Sequence, residues 1–326
     1  MPRIPWELWL ECLILIDKRA NMKKLAFFLG KGGVGKTTLS SATAYRLSAS
    51  GQKVLICSLD PAHNLGDVFH TKLTNERRPI RENLDGMEID LADWVQKYLE
   101  ESRKEIQNAY RYNVVIDLNK YLDIMKYSPG TEEYAVLWAI EYIYKTYHET
   151  YDIIIFDTPP TALTLRFLAM PAISSLWVKE LSNLRKTILE KRRVLLKLNP
   201  EANVLGGQVK KEEDPIYQKL GAIHRRLEYL QELFSKESYI AVVLNPDELS
   251  FSESLRIRDE LGKLEIPIAS LCYNKFLIDD RRGERLRSTF KSIPIFTFNR
   301  LEEGILVLDD LAKLEVSPLV HHLRSN

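Results

Sequence analysis

Short, unbroken apolar runs alternate along the chain with longer stretches in which apolar residues return every three or four positions. The short runs predict buried strands at residues 25–29, 53–59, 85–91, 151–157, 238–244, 266–273 and 293–296. Between them, residues 38–50 predict a helix stopped near Gly51, and residues 92–127 a helical, aromatic stretch through Trp94, Val95, Tyr98, Leu99, Ile106 and Tyr110. Pro129-Gly130 breaks that stretch, and Thr131 is expected to cap the next helix with Glu133 in its first turn. Residues 165–196 carry a wide stripe of Leu165, Leu168, Ile173, Leu176, Trp177, Leu181, Leu184 and Ile188, with Pro171 expected to restart or kink the helix. A polar, glycine-bearing segment at 199–214 predicts a mobile loop, and residues 217–234 repeat a helical stripe through Ile223, Leu227, Leu230 and Phe234. Strands alternating with helices predict an α/β fold: a doubly wound, mostly parallel sheet, here with helical inserts near 92–130 and 164–236.

Chemistry concentrates where the first strand ends. Gly30, four residues, then Gly35, Lys36 and Thr37 satisfy the phosphate-binding loop pattern, preceded by a strand and followed by a helix as that pattern requires. Closely spaced glycines let backbone N–H groups turn inward around a phosphate, at a helix N-terminus whose partial positive charge adds to the attraction. The expected binding residues are Gly30, Lys31, Gly32, Gly33, Val34, Gly35, Lys36, Thr37 and Thr38. Lys36 is placed to reach the β and γ oxygens of ATP, and the Thr37 hydroxyl to ligate Mg2+. Asp60 ends the second strand beside this loop, a position suited to orienting water, and Asp157 ends another, suited to holding Mg2+ through water.

Composition narrows the class without identifying it. With 46 Lys plus Arg against 45 Asp plus Glu, the net charge of +1 gives no reason to expect a nucleic-acid partner. Cys12, Cys57 and Cys272 are odd in number and far apart, which excludes a disulfide framework and a paired-cysteine metal site and points to the cytoplasm. Residues 6–16 are apolar, but Glu7 and Glu11 interrupt them, the run is too short to cross a bilayer, and no small-residue cleavage site follows. Residues 1–21 are therefore expected to lie outside the fold, with Met22 as the natural start of a single domain and no transmembrane segment.

The first lysine of Lys-Gly-Gly-Val-Gly-Lys-Thr-Thr, Lys31, makes the loop resemble the deviant loop of dimerising ATPases. Nitrogenase iron proteins, partitioning ATPases, arsenite-pump ATPases and tail-anchored-protein-targeting ATPases belong to that class. The resemblance implies a homodimer in which Lys31 crosses to the partner's nucleotide and meets the charge that develops in phosphoryl transfer. Residues 60–69, DPAHNLGDVF, are similar to the first switch of the arsenite-pump and targeting branch, and by that likeness Asp60 positions or activates the attacking water. Residues 157–168 resemble that branch's DTAPTGHTLRFL, with Ala162-Leu163 standing in place of Gly-His. A gapless match after the fourth buried strand implies that Asp247 contacts nucleotide ribose across the dimer, and a strand-end Asn274 that it pairs with adenine. Where the targeting proteins carry a zinc-sharing CxxC, residues 279–282 read Asp-Asp-Arg-Arg, so no zinc is expected.

Two readings of the long helical stripes stay open on sequence. Such spacing is ordinarily core, yet the insert lies where the targeting ATPases build a groove for a client's hydrophobic helix. The expected function is an ATP-hydrolysing dimeric switch that captures such a helix, with an arsenite-efflux subunit or a switch for another protein partner as alternatives.

Overall fold

The computed structural model describes residues 23–62, 64–109, 124, 126, 128–198, 209–276, 282–300 and 308–325. The expectations for residues 1–21 and for Asp279, Asp280 and Arg281 lie outside the described residues, as do those for most of the 199–214 loop and for 110–123.

Eight strands form one sheet in the order β3-β4-β2-β5-β1-β6-β7-β8. They are β1 (Leu25–Leu29), β2 (Val54–Ser58), β3 (Arg78–Arg81), β4 (Leu84–Glu88), β5 (Ile153–Asp157), β6 (Ser238–Leu244), β7 (Ser270–Phe276) and β8 (Ile295–Asn299). All adjacent pairs are parallel except β3 with β4. The doubly wound, mostly parallel α/β fold is thus borne out. The helices are α1 (Lys36–Ala49), α2 (Leu65–Phe69), α3 (Leu91–Ala109), α4 (Thr131–Tyr147), α5 (Thr161–Leu198), α6 (Pro215–Lys236), α7 (Glu248–Lys263), α8 (Arg282–Thr289) and α9 (Ser317–Arg324).

The central strand shows why unbroken apolar runs were needed. Leu25, Phe27 and Leu29 face a core shared with α3 to α7, while Ala26 and Phe28 face a second core shared with α1 and α9. A strand covered on both sides cannot alternate apolar with polar. Phe27 stacks on Phe156 of β5 and meets Phe234 of α6 edge-on, which ties the sheet to the helical layer.

Several boundaries differ from the sequence expectation, each for a local reason. β3 was not anticipated, because Arg-Pro-Ile-Arg has no apolar run; as an antiparallel edge strand it tolerates Pro79 and exposed charge. β4 stops at Glu88, since the Asp90 carboxylate accepts from the Ala92 and Asp93 N–H groups and starts α3. Gly130, with φ +91, caps α4 in place of Thr131, which is the first helical residue. β7 begins at Ser270 rather than at Ile266, whose N–H closes the end of α7 on the Leu261 carbonyl. β8 starts at Ile295, after Pro294. Pro171 does not restart a helix: α5 runs through it, with the buried Pro171 flanked by Phe167, Leu168, Ser174 and Val178 in the protein interior.

α5 and α6 pack along each other, pinned at one end by Asp214. Its carboxylate caps α6 at the Tyr217 N–H and accepts from Arg185 Nε and Nη2 at 3.0 and 2.6 Å. By length and composition α5 could cross a membrane, but Thr164, Phe167 and Leu168 bury its first turns in the protein core. Further along, the same helix leaves Ile173, Leu176, Trp177, Leu181, Leu184, Ile188, Val194 and Leu195 exposed.

Candidate functional site

β1 lies between β5 and β6, so the chain leaves the sheet in opposite directions on its two sides, and the carboxyl ends of these strands form a crevice. The loop after β1 occupies it. Gly30 has φ +151, and a Cβ there would come within 2.2 Å of the Val243 carbonyl on β6, so no other residue fits. Gly35, at φ +95, caps α1, and a Cβ on it would strike the Asn274 amide at 2.3 Å. Gly32 and Gly33 are exposed and Val34 is buried between them and the sheet.

Lys36 is the first residue of α1 and is buried. Its Nζ donates to the Lys31 carbonyl at 3.3 Å. Burial lowers its pKa, against the pull of the Asp157 and Asp60 carboxylates. Thr38 follows on the helix, half-buried.

Next to Lys36, the Thr37 hydroxyl donates to Asp157 Oδ2 at 2.7 Å. The second oxygen of Asp157 is buried with no hydrogen-bond partner among the described residues. Burial pushes this carboxyl up to about 7, opposed by the Thr37 hydrogen bond and Lys36 and reinforced by Asp60. Asp60, half-buried beyond β2, accepts the Ala62 N–H at 3.0 Å in a tight turn, and its charge acts on both Lys36 and Asp157. A hydroxyl, an orphaned carboxylate oxygen and a second carboxylate nearby are hard donors, the set that suits Mg2+.

The other side of the loop meets β7. Asn274, expected at a strand end, sits inside β7, buried, and donates Nδ2 to the Val34 carbonyl at 2.8 Å. Lys275 Nζ reaches the Gly33 carbonyl at 3.1 Å. This second contact was not read from sequence: a lysine beside an asparagine carries no pattern, and only the backbone turn at Lys275 brings it to the loop. Asp247 lies at the same sheet edge, as the cap of α7, with both oxygens engaged by Ser250 N and Oγ at 2.8 and 2.7 Å. Burial pushes the Asp247 carboxyl up, but those hydrogen bonds and the charge of Lys31 outweigh it and hold it below the usual range. The charge of Lys31 thus acts on Asp247 within one chain. Ala162 and Leu163 open α5, exposed and half-buried, and Arg166 one turn on pairs with Glu133 at 3.0 Å.

Backbone donors gathered on a helix N-terminus at this edge suit a polyphosphate, and the class so defined is that of phosphate-loop nucleoside triphosphatases. The family model described as anion-transporting ATPase, ArsA type, matches residues 23–301. Among similar proteins, one of Aquifex aeolicus named as arsenical pump-driving ATPase 2 is 33% identical over 267 residues, covering 81% of this chain and 84% of that one. A Schizosaccharomyces japonicus protein named ATPase get3 is 33% identical over 261 residues, covering 78% and 75%. A second Aquifex aeolicus protein, named as arsenical pump-driving ATPase 1, is 28% identical over 318 residues, covering 89% and 77%. The chain belongs to the anion-transporting ATPase family, and it is an ATPase.

Proposed function

We propose that this ATPase works as a homodimeric cytoplasmic switch that couples ATP hydrolysis to capture and delivery of a hydrophobic client helix. The observation that carries the reading is the exposed apolar face of α5, where Leu176 and Trp177 are 68% and 69% exposed although they lie mid-helix. An open stripe on a helix pair is the shape that accepts another helix. The DPAHNLGDVF resemblance, to the arsenite-pump and targeting ATPases alike, supports the ATP-driven switch in this reading.

In this reading Gly30–Thr38 hold the phosphates, Lys36 balances charge on the β and γ oxygens, and Asn274 meets the base. Thr37 and Asp157 would hold Mg2+, which supplies charge neutralisation of the phosphates when bound. Asp60, whose carboxylate already accepts the Ala62 N–H, orients the attacking water and takes up its proton. Lys31 serves the partner protomer's nucleotide, and Asp247 the ribose across the dimer. With ATP bound and Asp60→Asn blocking turnover, the protein should retain an apolar membrane-anchor peptide, and wild-type protein should release it on hydrolysis. A trapped protein that holds no such peptide would count for a different partner.

The relatives named as pump-driving support a second reading, an arsenite-efflux subunit. Two observations oppose it: Cys57 and Cys272 are buried in β2 and β7, and burial pushes both thiols up, Cys272 to about 12. Soft-metalloid capture needs thiolates gathered at one site, which these are not.

A further inference from the structure

Consecutive side chains of a strand point to opposite faces, so Asn274 and Lys275 of β7 would ordinarily diverge. They converge instead on one loop, at Val34 O and Gly33 O. The cause is the backbone at Lys275, whose φ of +55 is left-handed, and the β7–β8 register shifts over the same residues, between Tyr273 and Phe276. Among the described residues, His70, Asn83, Glu265 and Lys275 are the non-glycine residues with positive φ, and Lys275 is the one inside a strand. A costly conformation held in a strand beside a ligand loop is a mark of function rather than of folding.

Two consequences follow from these contacts. In a trans peptide the carbonyl and the next N–H point in opposite directions. Holding the Gly33 and Val34 carbonyls toward β7 therefore turns the Val34 and Gly35 N–H groups the other way, toward the space where phosphate would lie. Moreover, one of the two Nδ2 hydrogens of Asn274 goes to Val34, which leaves the other hydrogen and Oδ1 to read a base edge, Oδ1 as the acceptor for an amino group.

We propose that Lys275 is a further nucleotide-positioning residue, resting on the phosphate-loop reading above: its ammonium pins the Gly33 carbonyl, and its four-carbon stem forms a wall of the base site beside Asn274. A pinned loop is pre-organised for the phosphates, and an apolar stem suits the face of a purine whose amino group meets Asn274 Oδ1.

Calorimetry with Mg-ATP and with Mg-tripolyphosphate, which has no base, separates the two roles. Lys275→Met keeps the stem and loses the pin, so it should weaken both ligands by about fivefold. Lys275→Ala loses the stem as well, and should weaken Mg-ATP by a further threefold or so while tripolyphosphate falls no further. Lys275→Arg should restore both, and in turnover KM should rise more than kcat falls for the Ala variant. Variants that bind Mg-ATP within twofold of a wild-type protein that does bind it would overturn the role of Lys275 alone. A folded wild-type protein that takes up neither ligand would overturn the phosphate-loop reading, and this inference with it.

Discussion

Thr37 and Asp157 stand 120 positions apart in the chain, and the Thr37 hydroxyl donates to the Asp157 carboxylate at 2.7 Å across the β1–α1 turn and the end of β5. The hydrogen bond satisfies one oxygen and leaves the other buried and, among the described residues, without a partner. Such a carboxylate is costly to keep charged in a protein without its cation, and the cost should be readable in stability.

Burial raises the Asp157 carboxyl to about 7, from a usual value near 3.8. Between those values the folded protein holds a proton that the unfolded chain has released, so stability conferred at low pH is lost as pH climbs through about 7. The slope from this group alone approaches about 1.4 kcal/mol per pH unit. In nucleotide-free protein, Asp157→Asn should flatten the curve over pH 4–7 and raise stability above pH 7. Urea titrations at several pH values would check this, and an unchanged slope in the variant would show that Asp157 is not the titrating group.

Lys36 is buried with its charge disfavoured by burial, so removing it should not harm the fold. Its value lies in the site. Lys36→Ala should cost turnover on the order of 10³-fold, as lost electrostatic stabilisation does, with an unaltered thermal midpoint. Asp60→Asn should lower kcat by 10²- to 10⁴-fold, roughly, while nucleotide binding persists. Phosphate-release assays beside thermal melts would separate these from unfolding, and wild-type turnover in either variant would refute the assigned roles.

Among the loop glycines, space divides the outcomes. Gly30→Ala drives a Cβ to 2.2 Å from the Val243 carbonyl, a backbone atom that cannot swing aside, and should destabilise by about 3 kcal/mol or more. Gly32→Ala meets no atom within 4 Å and should change stability by less than about 0.5 kcal/mol. Denaturant midpoints of the pair would check this; equal losses would mean that the loop is not seated on β6.

Sequence disclosed the parts of this protein whose physics is local. A strand buried on both faces must be apolar throughout, so β1, β2, β5 and β6 were visible, and the glycine loop was visible because its spacing serves one geometry. β3 was hidden, since an edge strand with Pro79 between charged residues owes its place to β4. At Pro171 the helical stripe of 165–196 was legible, and of the two expected outcomes the restart is excluded, because the buried proline sits inside one continuous α5. Asn274 was legible as a residue, but its engagement with Val34 and the reach of Lys275 depend on a left-handed turn that no residue type announces.

The stripe on α5 was ambiguous for a similar reason: spacing tells which residues share a helix face, not whether anything covers it. Leu189 and Trp177 lie on the same helix with opposite fates, 2% and 69% exposed. Leu189→Asp buries an unpaired charge and should cost about 3 kcal/mol or more, lowering the thermal midpoint sharply. Trp177→Asp replaces a solvated ring, so the midpoint should move little, by about 0.5 kcal/mol or less in stability. Yet an indole that offers on the order of 200 Å² to a guest contributes several kcal/mol to holding it, and the variant should lose binding of an apolar helical peptide by about 100-fold. Melting curves beside peptide-binding titrations would decide. A Trp177→Asp protein that melts as early as Leu189→Asp would mean that this face is covered in solution, and peptide binding left intact by Trp177→Asp would remove α5 from the proposed client site.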